Sequence, residues 1–261
     1  MAEGSESSSE RRYKCERCHD QQYIGVYEGR EYPMDSIELV GVIYTAKPCQ
    51  CLIQENLMRL FGKSNIPDAE QRKGFSDFNK DDVPRSVKTA FSVVYEYFMN
   101  FDAIRHQDVN SLVLLGDSGF GKTHLLTALA NNLIAKKSVG VIYFRWIEGM
   151  QRLKSAIKEG SLDEKINAMY EVDVLFIDDL FKTRGNTGDS TGFEFQRILD
   201  VVDKRNTNRR PFLITSELYD EQLANIDIAL WGRIRERSQI VRLGLEDDEK
   251  AAGIVGNYRM R

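Results

Sequence analysis

The segment from Gly116 to Thr123, which reads G-D-S-G-F-G-K-T, has the residue types and spacing of a phosphate-binding loop. In the pattern G-x-x-x-x-G-K-T, backbone N–H groups of a glycine-rich loop surround a phosphate chain at the N-terminus of a helix. Lys122 would reach the β- and γ-phosphates, and Thr123 would bind Mg²⁺. The alternative is a chance match. The loop residues expected to contact phosphate are Gly116, Asp117, Ser118, Gly119, Phe120, Gly121, Lys122 and Thr123.

The residues on either side of this loop match the elements that must position it. An apolar run, Leu112 to Leu115, precedes the loop, and a helix-like pattern from Leu125 to Ala130 follows it. A phosphate loop connects a buried strand to a helix in this way, whereas most accidental matches lack this context. The sequence therefore favours the functional interpretation over chance.

A second apolar run, beginning at Val172, ends in the two carboxylates Asp178 and Asp179. In a parallel sheet such a strand is buried on both faces, and its carboxyl end opens on the ligand crevice. Asp178 would then hold Mg²⁺ together with Thr123, and Asp179 would orient the attacking water. The alternative is that the two aspartates only end a strand in a polar turn. The loop upstream favours the catalytic interpretation.

A third buried-strand pattern runs from Pro211 and ends in Thr215, Ser216 and Glu217. Ring-forming ATPases carry a polar side chain near the γ-phosphate at this place, which selects Ser216. The arginines farther along, Arg233 and Arg237, could enter the site of a neighbouring subunit and stabilise the charge of the transferred phosphoryl group. The alternative is an ordinary solvated basic face.

These motifs resemble the AAA+ superfamily and, within it, helicase loaders of the DnaC/DnaI type and their relatives, the IstB transposition ATPases. The resemblance runs from about Ile66 to Leu243. It implies an α/β core, a parallel sheet flanked by helices without a C-terminal lid, with ATP and Mg²⁺ as cofactors and hydrolysis used as a switch. It adds His124 to the nucleotide-binding residues, and it makes Ile66-Pro67 and the segment from Phe75 to Phe78 a wall for the adenine.

Two positions differ from the pattern usual in this family. The family usually has asparagine near Glu217, and it allows glutamate where this chain has Asp179. Aspartate is one methylene shorter than glutamate, which favours slow hydrolysis.

The four cysteines of the chain form two close pairs, Cys15-x-x-Cys18 and Cys49-x-Cys51. Two such pairs match a tetrahedral Zn²⁺ site, and disulfides are the weaker alternative in a reducing compartment. His19 could replace a cysteine, but a solvated histidine is the favoured interpretation. The runs around Ile24 and from Ser36 to Tyr44 look like strands of a small ribbon, and a helix-like stretch from Gln50 follows.

Aromatic and basic residues alternate between the phosphate-loop helix and the acidic strand. Rings among cations can stack bases and pair with phosphates of single-stranded DNA. The alternative is an ordinary core strand followed by a solvated helix face. The candidate contacts with single-stranded DNA are Phe144, Arg145, Trp146, Arg152 and Lys154. A second basic cluster, Lys204-Arg205 and Arg209-Arg210, is better interpreted as a surface turn.

Charge and length limit the remaining choices. With 36 basic and 40 acidic residues the net charge is −4, which predicts no strong general affinity for nucleic acid.

The chain has neither a signal peptide nor a membrane-spanning run, so we expect no membrane contact and a cytoplasmic location in a bacterial cell, with a phage-encoded origin left open. We expect a disordered N-terminus at 1–12, a zinc-binding helicase-interaction domain at 13–61, a linker and adenine-side segment at 62–85, an AAA+ domain at 86–245 and a tail at 246–261.

The resemblance implies two alternative functions. In the first, several subunits that self-associate through the ATPase domain bind ATP, engage single-stranded DNA and load a DnaB-type hexameric replicative helicase during DNA replication. In the second, an IstB-type ATPase assembles on duplex DNA and recruits a transposase. The N-terminal cysteine module favours the loader, since the transposition relatives usually lack one.

Overall fold

A computed structural model describes residues 13–78, 83–182 and 192–251 of the chain. The chain folds as two compact units that divide between Arg59 and Leu60. The predicted N-terminus at 1–12 and the last ten residues of the predicted tail lie outside the described residues.

The first unit contains a three-stranded antiparallel sheet in the order β2-β1-β3. Glu28 and Gly29 connect β1 to β2, and both have positive φ, 50° and 76°. Two successive residues in this conformation form the tight turn that matches the twist of a hairpin. The strands of this unit are β1 (Tyr23–Tyr27), β2 (Arg30–Pro33) and β3 (Thr45–Pro48).

The predicted strand from Ser36 to Tyr44 is wrong. This segment contains a single 3-10 turn, Ile37–Leu39, between β2 and β3. Leu39 packs inward at 5% exposure, whereas Ile37 and Ile43 are 82% and 98% exposed. The apolar run therefore supplies one core residue and not the alternating buried face of a strand. The predicted helix is present as α1 (Gln50–Ser64).

The second unit is built on a five-stranded parallel sheet in the order β5-β6-β7-β4-β8. The three central strands are fully buried, because helices cover both faces. The predicted α/β fold is therefore confirmed. The strands are β4 (Ser111–Gly116), β5 (Val141–Arg145), β6 (Val174–Asp178), β7 (Phe212–Ser216) and β8 (Ser238–Leu243).

The helices of this unit alternate with the strands, as parallel connections require. Helix α5 follows β4 and packs across β5, β6 and β7, and α3 packs against α5 and β8. They are α2 (Asp68–Gln71), α3 (Arg85–Met99), α4 (Phe101–Ile104), α5 (Lys122–Lys137), α6 (Trp146–Glu159), α7 (Leu162–Glu171), α8 (Gly192–Thr207), α9 (Asp220–Ile226), α10 (Ile228–Glu236) and α11 (Asp247–Ala251), with a 3-10 turn at Phe75–Asp77.

Arg205 of α8 is fully buried, although its neighbours in sequence predicted a surface turn. Its guanidinium donates to the backbone carbonyls of Met169, Tyr170, Val172, Asp173 and Pro211 at 2.6 to 3.3 Å. These carbonyls precede β6 and β7 at the amino edge of the sheet. A planar group with five donors can satisfy several such acceptors at once. Arg205 therefore fixes the starts of two central strands.

Candidate functional site

The phosphate loop lies at the carboxyl edge of the sheet, between β4 and α5. Gly116 has φ 138°, and a Cβ on it would lie 1.8 Å from the carbonyl oxygen of Leu243 in β8. Gly121 has φ 81° and packs against the ring of Phe78, which would lie 3.1 Å from an added Cβ. Both positions therefore require glycine, because a side chain would conflict with the positive φ and with the neighbouring atoms.

Lys122 is the first residue of α5 and is 5% exposed. Its Nζ donates to the carbonyl oxygens of Gly116 at 2.6 Å and Asp117 at 2.8 Å. Burial lowers the pKa of Lys122 below its ordinary value. The ammonium group therefore lies over the loop with only neutral acceptors, and an anion at the helix N-terminus would be a stronger partner.

Asp178 is a hydrogen-bonding centre at the end of β6. Its Oδ1 accepts from Thr123 Oγ1 at 2.8 Å and Thr215 Oγ1 at 2.6 Å, and its Oδ2 accepts from the Tyr143 hydroxyl at 2.7 Å. Burial raises the pKa of Asp178, although these three hydrogen bonds oppose the shift. Carboxylate and hydroxyl oxygens are the ligands that Mg²⁺ prefers, so Thr123 and Asp178 fit the predicted Mg²⁺ site. The sequence did not identify Tyr143 and Thr215 as their partners.

Asp179 follows at φ 58°, a conformation that turns the chain out of the strand. Its backbone N–H donates to Thr215 Oγ1 at 2.8 Å, which holds this turn in place. The Asp179 carboxylate lines the same cavity as the loop. Asp178 and Asp179 thus line the same cavity as the phosphate loop, and their roles toward Mg²⁺ and water stay predictions.

The end of β7 presents Glu217, and not Ser216, to the cavity. Ser216 is fully buried, and its hydroxyl donates to the carbonyl oxygen of Leu180 at 2.9 Å. Burial alone would raise the pKa of Glu217, but hydrogen bonds from Lys182 and Ser118 outweigh it and leave the pKa below its ordinary value. The predicted sensor hydroxyl of Ser216 therefore faces the protein interior and not the cavity.

The cavity at this edge has a volume of about 610 Å³. That volume lies within the usual range for small-molecule and cofactor sites. The phosphate-loop side, the acidic strand end and the segment around α2 contribute to its lining, which consists of Pro67, Ala69, Glu70, Lys73, Asp77, Phe78, Ser118, Gly119, Gly121, Lys122, Thr123, His124, Tyr143, Arg145, Asp178, Asp179 and Glu217.

The segment from Pro67 to Phe78 forms one wall of this cavity. That this wall contacts the adenine stays a prediction. Asn131 of α5 donates to the carbonyl oxygens of Glu70 at 2.7 Å and Lys73 at 2.8 Å, which fixes the segment on the phosphate-loop helix. The ring of Phe78 meets His124 edge-on, with centroids 5.3 Å apart. Burial lowers the pKa of His124 below its ordinary value. Ile66 is buried behind the wall and does not line the cavity.

The stacking part of the predicted single-stranded DNA site is wrong. Phe144 and Trp146 are 7% and 3% exposed, so neither ring offers a free face to a base. The Phe144 ring packs on Gly149, where an added Cβ would lie 2.5 Å from it. Lys154 pairs with Glu194 at 2.7 Å.

Arg145 and Arg152 do reach solvent. They line a second cavity of about 450 Å³ between β5, α6 and α7. Of the predicted contacts with single-stranded DNA, Arg145 and Arg152 are therefore the ones exposed enough to pair with a phosphodiester.

Arg233 and Arg237, the two arginines predicted to act in the nucleotide site of a neighbouring subunit, do not line the cavity of their own chain. Arg237 donates to the carbonyl oxygen of Asp108 at 3.2 Å, and its own carbonyl accepts from Asn110 and Ser111 at the amino edge of β4. Arg233 is exposed and pairs with Asp203 at 3.0 Å. Neither residue lines the cavity of its own chain, so a role for either requires a neighbouring copy.

The four cysteines of the first unit converge, with their Sγ atoms all within 4.8 Å of one another. Cys15 and Cys49 are 3.8 Å apart at sulfur, and Cys18 and Cys51 are 3.5 Å apart. A tetrahedron of thiolates around Zn²⁺, with bonds of about 2.3 Å, has sulfur separations close to these values. A disulfide requires about 2.05 Å, so the cluster fits the metal and not paired disulfides.

His19 is not a member of the cluster. Its Nδ1 lies 2.8 Å from Asp35 Oδ1, and its ring stacks on Tyr13 at 4.2 Å. The segment that carries Cys15 is held instead by Asp20, whose carboxylate accepts from the backbone N–H groups of Lys14 and Cys15. The set that fits zinc is therefore the four thiols.

Across the described ranges, no helix is both long and apolar enough to span a bilayer.

Comparison with known proteins identifies the family. Residues 85–239 match the model of the bacterial DnaA ATPase domain. The chain is 40% identical to the uncharacterised protein YqaM of Bacillus subtilis over 73% of its own length and 60% of that protein. It is 37% identical to the phage-like element PBSX protein XkdC of the same organism, over 90% of its own length and 84% of that protein.

More distant similarities point the same way. The replicative helicase loader DnaC of Escherichia coli is 25% identical over 70% of each chain. The crystal structure of DnaI matches with a TM-score of 0.57 at 23% identity, over 69% of this chain and 95% of that one, which supports the fold alone. With more than half of its length matched by the family model, and with a relative as similar as XkdC, the chain belongs to the ATP-binding AAA+ proteins of the DnaA and DnaC/DnaI type, the family of replication initiators and helicase loaders.

Proposed function

We propose that this chain is an ATP-switched loader, which holds a DnaB-type hexameric replicative helicase and delivers it onto single-stranded DNA during DNA replication. The observation that carries the proposal is the presence, in one chain, of an organised ATP site in a DnaC/DnaI-type core and a separate Cys₄ unit before it. A core that binds nucleotide can act as a switch on a partner that is held elsewhere on the chain, and the Cys₄ unit is the candidate for that surface.

At the ATP site each residue has a distinct role in the proposal. When bound, ATP and Mg²⁺ supply the phosphoryl group and the charge neutralisation that its transfer to water requires. Lys122, which now donates to loop carbonyls, would pair with the phosphates, and Thr123 and Asp178 would hold the metal. Asp179, which lines the same cavity, would accept a hydrogen bond from the attacking water. If Arg233 or Arg237 supplies charge to the transferred phosphoryl group, it would do so in a neighbouring subunit, since neither lines its own cavity, and hydrolysis would then depend on self-association through the ATPase domain.

Single-stranded DNA contact in this proposal rests on cations alone. Arg145 lines both the ATP cavity and the second cavity, so it lies between the nucleotide and a strand bound there. Arg152 adds a second charge on the same side. Binding of this kind is electrostatic and is expected to weaken steeply with salt.

The Cys₄ unit holds one Zn²⁺ in the proposal. Zinc, when bound, supplies folding free energy to a unit whose fully buried apolar residues are few. The three-stranded sheet and the first part of α1 would then be a stable surface for the helicase.

The proposal is tested by size-exclusion chromatography of the full chain mixed with the replicative helicase of its source, with and without ATP. We expect a complex with the helicase, and we expect Lys122→Ala to retain that complex while losing its response to ATP. Absence of a complex under both conditions would contradict the loader assignment. Assembly on duplex DNA with recruitment of a transposase would instead favour the IstB alternative.

A further inference from the structure

Lys182 lies just beyond the acidic end of β6 and pairs with two carboxylates. Its Nζ is 3.1 Å from Asp179 Oδ2 and 2.9 Å from Glu217 Oε1. Asp179 and Glu217 line the ATP cavity, whereas Lys182 is not among its lining residues. One ammonium group therefore balances two negative charges that face the same cavity as Lys122.

Glu217 extends this set of contacts to the phosphate loop, because its carboxylate also accepts a hydrogen bond from the Ser118 side chain. The contacts run from Asp179 through Lys182 and Glu217 to Ser118, and they join the ends of β6 and β7 to the loop. A nucleotide bound in this loop directs its outer phosphates toward Lys122. The wall next to those phosphates therefore contains two carboxylates.

Carboxylates in that position repel a phosphate chain, and the repulsion grows with the number of charges on the chain. A triphosphate adds a further negative group at the end nearest to this wall, so it is penalised more than a diphosphate. Neutralisation of the wall by Lys182 reduces this difference. The side chain of Lys182 is 32% exposed, so water screens its ion pairs with Asp179 and Glu217 only in part.

Resting on the proposed ATP function, we propose that Lys182 is a positioning residue that sets the preference of this site for a triphosphate over a diphosphate, by neutralising Asp179 and Glu217. The lysine would act through the two carboxylates, because it pairs with both of them and does not itself line the cavity. Its removal should change the ratio of the two affinities, which a loss of local stability would not do.

The test measures the affinity of the full chain for a non-hydrolysable ATP analogue and for ADP, with Mg²⁺, by calorimetric or fluorescence titration. In Lys182→Met, the affinity for the ATP analogue should fall about tenfold or more relative to that for ADP, the size expected for an uncompensated charge in a half-buried site. Lys182→Arg should retain the wild-type ratio. Lys182→Met combined with Glu217→Gln should restore the ratio to within about threefold, because one of the two charges is gone.

Lys137→Met is the matched control. Lys137 also pairs with a carboxylate, Asp102 at 2.5 Å, but at the far end of α5. This variant should leave both affinities unchanged. Glu217→Gln alone keeps the test decisive if Lys182→Met folds poorly, since it removes one repulsive charge while Lys182 still neutralises Asp179, and it should raise the ratio above that of the wild type.

Equal losses of affinity for both nucleotides in Lys182→Met, or no loss for either, would overturn the inference. A fall in the ratio in Glu217→Gln would overturn it as well, since Glu217 would then favour the triphosphate. If the wild-type chain binds neither nucleotide, the proposed ATP function itself fails, a result distinct from a changed ratio.

Discussion

The hydroxyl of Tyr143 donates to Oδ2 of Asp178 at 2.7 Å, so the edge strand β5 holds the carboxylate at the end of β6. The hydroxyls of Thr123 and Thr215 donate to the other carboxylate oxygen, Oδ1. Three donors fix the orientation of one carboxylate before a metal binds. Such outer partners orient a ligand and tune its affinity for the metal.

Replacing Tyr143 by phenylalanine removes one of these donors and leaves the packing of the ring against Phe176 in place. We expect the Mg²⁺ concentration needed for half-maximal binding of an ATP analogue to rise about tenfold. Titration of Mg²⁺ at fixed nucleotide measures this. Tyr95→Phe, on an exposed ring outside the cavity, is the control and should leave the titration unchanged. An unchanged titration in Tyr143→Phe would show that Asp178 needs no support from β5.

Lys122→Ala removes the only lysine at the start of α5. We expect ATP affinity to fall about 100-fold or more, because a charge-assisted contact to phosphate in a buried loop is lost. Direct titration with a fluorescent ATP analogue measures the loss, with Lys137→Met as a control at the other end of the same helix. Wild-type affinity in Lys122→Ala would contradict the phosphate-loop assignment.

The motif residues were predictable from the sequence because the backbone at their positions accepts few other residue types. Gly116 and Gly121 adopt positive φ in close contact with other groups, and Asp178 ends a strand buried on both faces. Tyr143 was not predictable in this way. It sits within an edge strand with a plain core pattern, and only the register with β6 places its hydroxyl on Asp178. The same holds for Lys182, whose partners come from two different strand ends.

The burial of Phe144 and Trp146 had a signal in the sequence. Trp146, Met150 and Leu153 follow one another at i, i+4 and i+7, the spacing of the buried face of a helix. This pattern indicates a core position more directly than alternation of rings and cations indicates a DNA site. Arg205 had no such signal, because a buried arginine among surface charges is recognised only when its carbonyl acceptors are known.

The Cys₄ unit should bind one Zn²⁺ per chain. We expect a strong chelator, or Cys18→Ser combined with Cys49→Ser, to unfold the first unit and leave nucleotide binding by the second unit intact. Elemental analysis gives the metal content, and circular dichroism with nucleotide titration follows the two units separately. Lys122→Ala should retain the metal and is the matched control. Freshly purified protein with well under one zinc per chain would contradict the assignment.

Arg205→Lys should destabilise the second unit, although the charge is kept. A lysine has three donors and no planar fork, so carbonyls that now accept from the guanidinium would be left buried without a partner. We expect a loss of about 2–4 kcal/mol in the free energy of unfolding. Denaturant unfolding measures the loss, and Lys204→Met at the exposed neighbouring position should change it by less than about 0.5 kcal/mol. Equal stability of the two variants would mean that the carbonyls find other donors.

Arg237→Ala tests whether hydrolysis needs a second copy of the chain. The arginine lies at the amino edge of the sheet with Asp108, outside its own ATP cavity, so its charge can reach a nucleotide only in a neighbouring subunit. We expect the variant to bind ATP normally and to lose hydrolysis by about 10³-fold or more, the effect typical of a supplied arginine. Arg233→Ala identifies the active residue if Arg237→Ala is without effect.

Mixing two inactive variants distinguishes a role of Arg237 in a neighbouring nucleotide site from a purely structural role. Arg237→Ala has an intact phosphate loop and Lys122→Ala has an intact arginine, so a mixture of the two variants can assemble one complete site across their interface. Part of the hydrolytic activity should return on mixing. Asp108→Asn, which removes the ion-pair partner but keeps the arginine, should retain hydrolysis. Hydrolysis by Arg237→Ala and Arg233→Ala at the wild-type rate, independent of protein concentration, would mean that the chain acts as a monomer and that both arginines are surface residues.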